Sequence, residues 1–123
     1  LLPVSAPFHC RMMQPAAEAM AEALAKATVN APVVPVVSNV KAAPVTDPAE
    51  IVRLLVAQVT GTVRWRESVL FMASAGVDRT VEVGAGKVLS GLSRRITKQI
   101  SASAVGTPED VAAFIAARSA PAA

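Results

Sequence analysis

At 123 residues, 53% hydrophobic and 17% charged, the chain has the size and composition of one globular domain rather than of a disordered segment. Its net charge of +3 comes from scattered basic residues, and its few aromatics are Phe8, Trp65, Phe71 and Phe114. The basic stripe with interleaved stacking rings that nucleic-acid binding uses is therefore missing. A lone cysteine, Cys10, and a lone histidine, His9, exclude an intrachain disulfide and an all-cysteine metal site, argue against zinc and fit a reducing compartment. No apolar run is long enough to cross a bilayer.

The apolar content is mostly Ala and Val, with 3% aromatic residues and no tyrosine. Such side chains bury little surface each, so the core is expected to be shallow and to lean on a neighbour. The chain opens without Met on Leu1 to Ser5, an apolar stretch expected to be entered partway along a strand and closed by Pro7. A long helix is predicted from Gln14 to Thr28, with Pro15 tolerated in its first turn and Ala16, Met20 and Leu24 on one face. Val33 to Val37, bounded by prolines and Asn39, reads as a buried strand, followed by a short extended piece at Val40 to Val45.

Asp47 before Pro48 is a helix-start signature, and Ile51, Leu54, Leu55 and Gln58 continue at helical spacing until Gly61. A further helix is expected from Arg66 to Ala75, ending at Gly76; a strand at Thr80 to Val83 then leads into Gly84-Ala85-Gly86. The next helix, Val88 to Thr97, carries Arg94 and Arg95, which with Lys98 form the only basic cluster and read as a solvated face. Ile100 to Ala104 is a last strand, and Thr107-Pro108-Glu109-Asp110 caps a final helix to Arg118. Ser119 to Ala123 reads as a disordered tail. Strands alternating with helices predict an α/β fold with a parallel sheet, which in isolation would leave an unpaired edge and an uncovered apolar face.

For chemistry, His9 stands out, in Ser5-Ala6-Pro7-Phe8-His9-Cys10 between a strand-like entry and a helix, where α/β enzymes place working residues. Histidine is suited to general-base work, although a lone histidine is more often structural. Cys10 beside it reads as a small buried residue, because adjacent side chains seldom face each other. No serine lies in G-x-S-x-G, so there is a base without a visible nucleophile. Gly84-Ala85-Gly86-Lys87 fits neither the phosphate-loop nor the dinucleotide pattern, having Leu89 where the latter needs Gly, and reads as a tight turn between strand and helix.

Three segments carry a family resemblance: Leu2-Pro3-Val4-Ser5-Ala6-Pro7-Phe8-His9-Cys10-Arg11-Met12-Met13, Ala31-Pro32-Val33-Val34-Pro35-Val36-Val37-Ser38-Asn39-Val40, and Glu82-Val83-Gly84-Ala85-Gly86-Lys87-Val88-Leu89. In this order, and with Val63-Arg64-Trp65 and Thr107-Pro108, they resemble the carboxy-terminal part of malonyl-CoA:acyl-carrier-protein transacylases. The resemblance covers nearly the whole chain. It implies the carboxy-terminal part of a hydrolase-like, parallel-sheet acyltransferase domain over residues 1–118, with the family's ferredoxin-like subdomain absent from this chain.

The resemblance further implies a cytoplasmic enzyme of fatty-acid biosynthesis that moves malonate from coenzyme A to an enzyme serine and then to the phosphopantetheine thiol of acyl carrier protein. His9 would be the catalytic base of this ping-pong transfer. Gln58 would orient it through its main-chain carbonyl, so that the identity of its side chain is expected to matter little. Phe8 matches a residue that, in related domains, narrows the acyl pocket; a core aromatic beside the turn is the equal alternative. The nucleophilic serine of the family's G-H-S-x-G elbow, the arginine that pairs with the malonyl carboxylate and the glutamine-rich oxyanion loop would all lie upstream. Malonyl-CoA, acyl carrier protein and that upstream part are thus the implied partners, with no permanent cofactor, metal, nucleic acid or membrane. An acyltransferase domain of a polyketide synthase and a non-catalytic carrier-protein-binding module are the alternatives; an end soon after the last helix is expected of a stand-alone enzyme.

Overall fold

A computed structural model describes residues 7–119, so the entry strand expected at Leu1 to Ser5 and the expected tail from 120 to 123 lie outside the described residues, while Ser119, where that tail was expected to begin, is the last residue of the final helix. The chain forms two compact units, Leu1–Ser68 and Val69–Ala123.

In the first unit a 3-10 turn, Arg11–Met13, runs straight into helix α1, Gln14–Ala25, which accepts Pro15 in its first turn because the N–H that proline lacks would have no helical partner there. The helix stops three residues short of Thr28. The N–H groups of Lys26 and Ala27 turn to the carbonyls of Ala23 and Leu24 (3.2 and 3.1 Å), tightening the last turn before the β-branched Thr28 and Val29. The buried side of α1 also differs from the expected one. Ala17 is buried, with Met13 and Leu24 half-buried, whereas Ala16 is exposed and Met20 is 40% exposed. Contact with the 3-10 turn and with the next helix selects this face, and the apolar pattern of an alanine-rich segment is too uniform to choose it.

The buried strand expected over Val33 to Val37 is reduced to β1, Val36–Val37, and Val33 and Val34 are 102% and 69% exposed. Pro32 and Pro35 each remove a donor, so a ladder begins only after the second of them. The extended piece expected at Val40 to Val45 is a turn followed by β2, Pro44–Val45, which pairs antiparallel with β1. This hairpin departs from the expected parallel sheet. Ser38 builds its turn: the hydroxyl accepts the N–H groups of Val40 and Lys41, the carbonyl accepts that of Ala42, and Ala42 itself takes a left-handed conformation. Helix α2, Pro48–Thr60, follows, with the Asp47 carboxylate accepting the Glu50 N–H (2.9 Å) as its N-cap. Val45 and Leu54 are the buried apolar side chains between hairpin and helix, and α1 packs on α2.

Helix α3, Trp65–Ser74, runs across the boundary between the units and ends at Gly76, whose φ is +86°. In the second unit β3, Arg79–Val83, and β4, Ser101–Val105, are parallel, in register from Arg79 opposite Ser101 to Val83 opposite Val105. Helix α4, Val88–Ile96, connects them and packs on both; α5, Pro108–Ser119, packs on β4. Val69, Ile100 and Ala102 form the apolar core, with Ser90 and Ser93 buried on α4. The capping read at Thr107 is present, the Thr107 hydroxyl accepting the Asp110 N–H while Asp110 accepts those of Gly106 and Thr107. Of the basic cluster, Arg94 is not a purely solvated residue: its guanidinium donates to the Ala102 carbonyl at 2.6 Å.

Candidate active site

His9 sits before the first helical turn in a left-handed conformation (φ 58°), exposed to solvent. Non-glycine residues visit this region rarely, and mostly where surroundings hold them. The carbonyl oxygen of Gln58 lies 2.7 Å from His9 Nδ1. Gln58 lies in the last turn of α2, where carbonyls have no further helical N–H to accept. Gly61 N–H closes on Ala57, one residue earlier, and Gln58 O is left for the imidazole. A carbonyl can only accept, so the hydrogen must be on Nδ1, and in the neutral ring the free lone pair is then on Nε2.

The side chain of Gln58 is engaged as well. Its Oε1 accepts from Asn39 Nδ2 at 3.2 Å. Asn39 follows β1, and its own carbonyl accepts the Arg64 N–H at 2.8 Å. The Arg64 guanidinium forks onto Glu67 (Nε to Oε2 2.7 Å, Nη2 to Oε1 2.6 Å) and donates through Nη1 to the Lys41 carbonyl (3.0 Å). These hydrogen bonds hold the Glu67 carboxyl below its ordinary range and the Arg64 guanidinium above its own. The hairpin turn, the end of α2 and the start of α3 are thereby tied together around the carbonyl that meets His9.

Beside this polar knot a half-open cleft of about 180 Å³ lies between hairpin and helix, with Val36, Val37, Val45, Ile51, Leu54 and Leu55 on its apolar walls and Ser38, Asn39 and Gln58 at its polar end. Phe8, next to His9, is 58% exposed in this chain. Cys10 is half-buried, and its thiol donates to the Pro7 carbonyl (3.0 Å) along the turn. Among the described residues no group of three or more His, Cys, Asp or Glu side chains could hold a metal, and no helix is long and apolar enough to span a membrane.

The Gly84-Ala85-Gly86 loop is a turn closed by the chain itself. Gly84 and Gly86 have φ of 134° and 95°, open to residues without Cβ. The Glu82 carboxylate caps the start of α4, accepting the N–H groups of Leu89 (3.1 Å) and Ser90 (2.8 Å), with the Ser90 hydroxyl at 2.7 Å. Those bonds from Ser90, backbone first, hold its carboxyl below the usual range. Sequence reasoning missed Glu82 and Asn39 alike. Glu82 lies seven and eight residues from its partners and Asn39 nineteen, distances over which no local pattern operates.

The structural neighbours of this α/β chain are acyltransferases. It covers 94% of its own length and 37% of an acyl-carrier-protein-S-malonyltransferase from Bartonella henselae, at 52% identity and a TM-score of 0.84. A malonyl-transacylase solved in complex with a type II PKS acyl-carrier protein is similar at 36% identity and a TM-score of 0.76. Among curated proteins, the malonyl CoA-acyl carrier protein transacylase of Salmonella typhimurium is 49% identical over 114 residues, 93% of this chain and 37% of that protein. No protein-family model matches. The resemblance read from the three motifs therefore holds: the chain is similar to malonyl CoA-acyl carrier protein transacylases over nearly its whole length, and it spans a little over a third of theirs.

Proposed function

We propose that this chain is the carboxy-terminal portion of a malonyl-CoA:acyl-carrier-protein transacylase and supplies its general base, His9. The observation that carries the proposal is the 2.7 Å hydrogen bond from His9 Nδ1 to the Gln58 carbonyl, which leaves Nε2 as the proton acceptor. Nε2 takes the proton of a serine hydroxyl contributed by the upstream part of the enzyme as the serine oxygen attacks the malonyl thioester carbon. The carbon–sulfur bond breaks, and the departing coenzyme A sulfur takes the proton from Nε2. The phosphopantetheine thiol of acyl carrier protein then gives its proton to Nε2 as its sulfur attacks the malonyl-serine carbonyl carbon; the ester carbon–oxygen bond breaks, and the departing serine oxygen takes the proton back from Nε2. The main-chain carbonyl does the work of a triad's third member by holding the Nδ1 proton through both steps.

In this proposal residues 1–118 belong to the larger, hydrolase-like domain, the ferredoxin-like subdomain comes from elsewhere in the polypeptide, and the enzyme acts in the cytoplasm without a permanent cofactor. Phe8, next to His9 in the sequence, faces the acyl group and narrows its pocket, as the family resemblance implies. The chain alone is inactive, since nucleophile and oxyanion hole each carry orders of magnitude in rate. Peptide mapping by mass spectrometry after exposure to malonyl-CoA tests this. The chain joined to its upstream polypeptide should gain one malonyl group on an upstream serine, and lose that labelling on His9→Ala. Labelling of this chain alone, at Cys10 or a local serine, would sink the proposal.

A further inference from the structure

Gln58 presents two polar groups in two directions: its carbonyl to His9 Nδ1 (2.7 Å) and its side-chain Oε1 to Asn39 Nδ2 (3.2 Å). His9 has no regular element of its own, preceding the 3-10 turn in an exposed, left-handed conformation, so its ring takes its orientation from the carbonyl it meets. That carbonyl belongs to the last turn of a helix, the part that frays most readily. Asn39, by contrast, is held at its own backbone. Its carbonyl accepts the Arg64 N–H at 2.8 Å, and the preceding Ser38 is 9% exposed with its hydroxyl bound to two N–H groups of the turn.

We propose that Asn39 is a positioning residue for His9, acting through the side chain of Gln58. By anchoring that side chain to the hairpin turn, Asn39 keeps the last turn of α2 wound and its carbonyl aimed at Nδ1. This selects the ring tautomer whose Nε2 can accept a proton. Its consequence for acyl transfer rests on the proposed role of His9; the tautomer does not, and it can be measured without any activity.

Because His9 is the only histidine, the ring-¹⁵N signals of the 123-residue chain are assigned without ambiguity. Their shifts, read through the ring carbon-bound protons, give the ratio of the Nδ1–H to the Nε2–H tautomer. The wild-type chain should favour Nδ1–H, opposite to free imidazole side chains. Asn39→Ala should lower the ratio by roughly fivefold, the worth of one ordinary hydrogen bond. Gln58→Leu removes the same bond from the other side while keeping the carbonyl, and should do the same. Gln58→Glu keeps an acceptor for Asn39 and should retain the wild-type ratio. If Asn39→Ala does not fold, the contrast between Gln58→Leu and Gln58→Glu reads the same bond. A wild-type ring with no preference for Nδ1–H, or an unchanged ratio in the folded Asn39→Ala and Gln58→Leu variants, overturns the proposal. A shifted ratio supports it even if the complete polypeptide proves to transfer no malonyl group, a result that would overturn the transacylase proposal alone.

Discussion

Leu54 is 6% exposed on α2, one turn before Gln58, and both residues border the cleft beneath the hairpin. Leu54→Ala removes three carbons, about 2.4 kcal/mol at ~0.8 kcal/mol each. A sealed cavity would add to this, and Leu→Ala changes in closed cores cost about 2–5 kcal/mol. Here the void merges with a half-open cleft that water can enter, so the total belongs near the lower end, about 2.7 kcal/mol. Native-state amide hydrogen exchange along α2 measures this directly, and 2.7 kcal/mol corresponds to roughly a hundredfold loss of protection. The ring of His9 should lose part of its Nδ1–H preference in the same variant, because the turn bearing the Gln58 carbonyl rests on Leu54. A loss of protection below about fivefold would refute the placement of Leu54 at the packing centre of this unit.

Asp47→Ala removes the N-cap of α2 and should cost about 1 kcal/mol by thermal or urea unfolding, with Asp47→Ser recovering most of it. Gly86→Ala forces a side chain into the left-handed region, where it costs roughly 1–2 kcal/mol; a neutral result would mean that the loop readily adopts another conformation. Glu82 is held below its ordinary value of 4.5 by hydrogen bonds from Ser90, so its stabilising contribution is complete above that value and is lost as pH falls through the lower, folded-state one. Acid unfolding followed by circular dichroism should therefore show Glu82→Gln less stable than the wild type at neutral pH, with the difference closing below pH 4.5.

The second unit was legible to the degree that its order is local. The alternation from Thr80 to Arg118 announced strand, helix, strand and helix, and β3 and β4 pair in parallel as that alternation requires. The first unit was misread at Val33 to Val37, where β-branched residues suggested burial and two prolines left most of the run unpaired. A hydrophobic run says that a segment can be covered, not what covers it. The candidate site is divided the same way. Position and residue type brought His9 forward, and only family resemblance pointed to Gln58, because the carbonyl that meets the imidazole is present in every residue and leaves no mark on the sequence.

What the sequence determined alone was the set of elements whose decisive bonds close within three or four residues. The Asp47 and Thr107 caps, the proline in the first turn of α1 and the glycine stop after α3 each depend on a side chain and a backbone group that cannot separate. Only the tertiary structure showed which face of α1 is buried, that β1 and β2 return on each other, and that Asn39 joins Gln58 at the point where its carbonyl, as the family resemblance implied, meets His9. Such contacts join residues nineteen and forty-nine positions apart, and the chain can bring them together only after the helices have packed and the entropy of closing those loops has been offset by the burial of Val45 and Leu54.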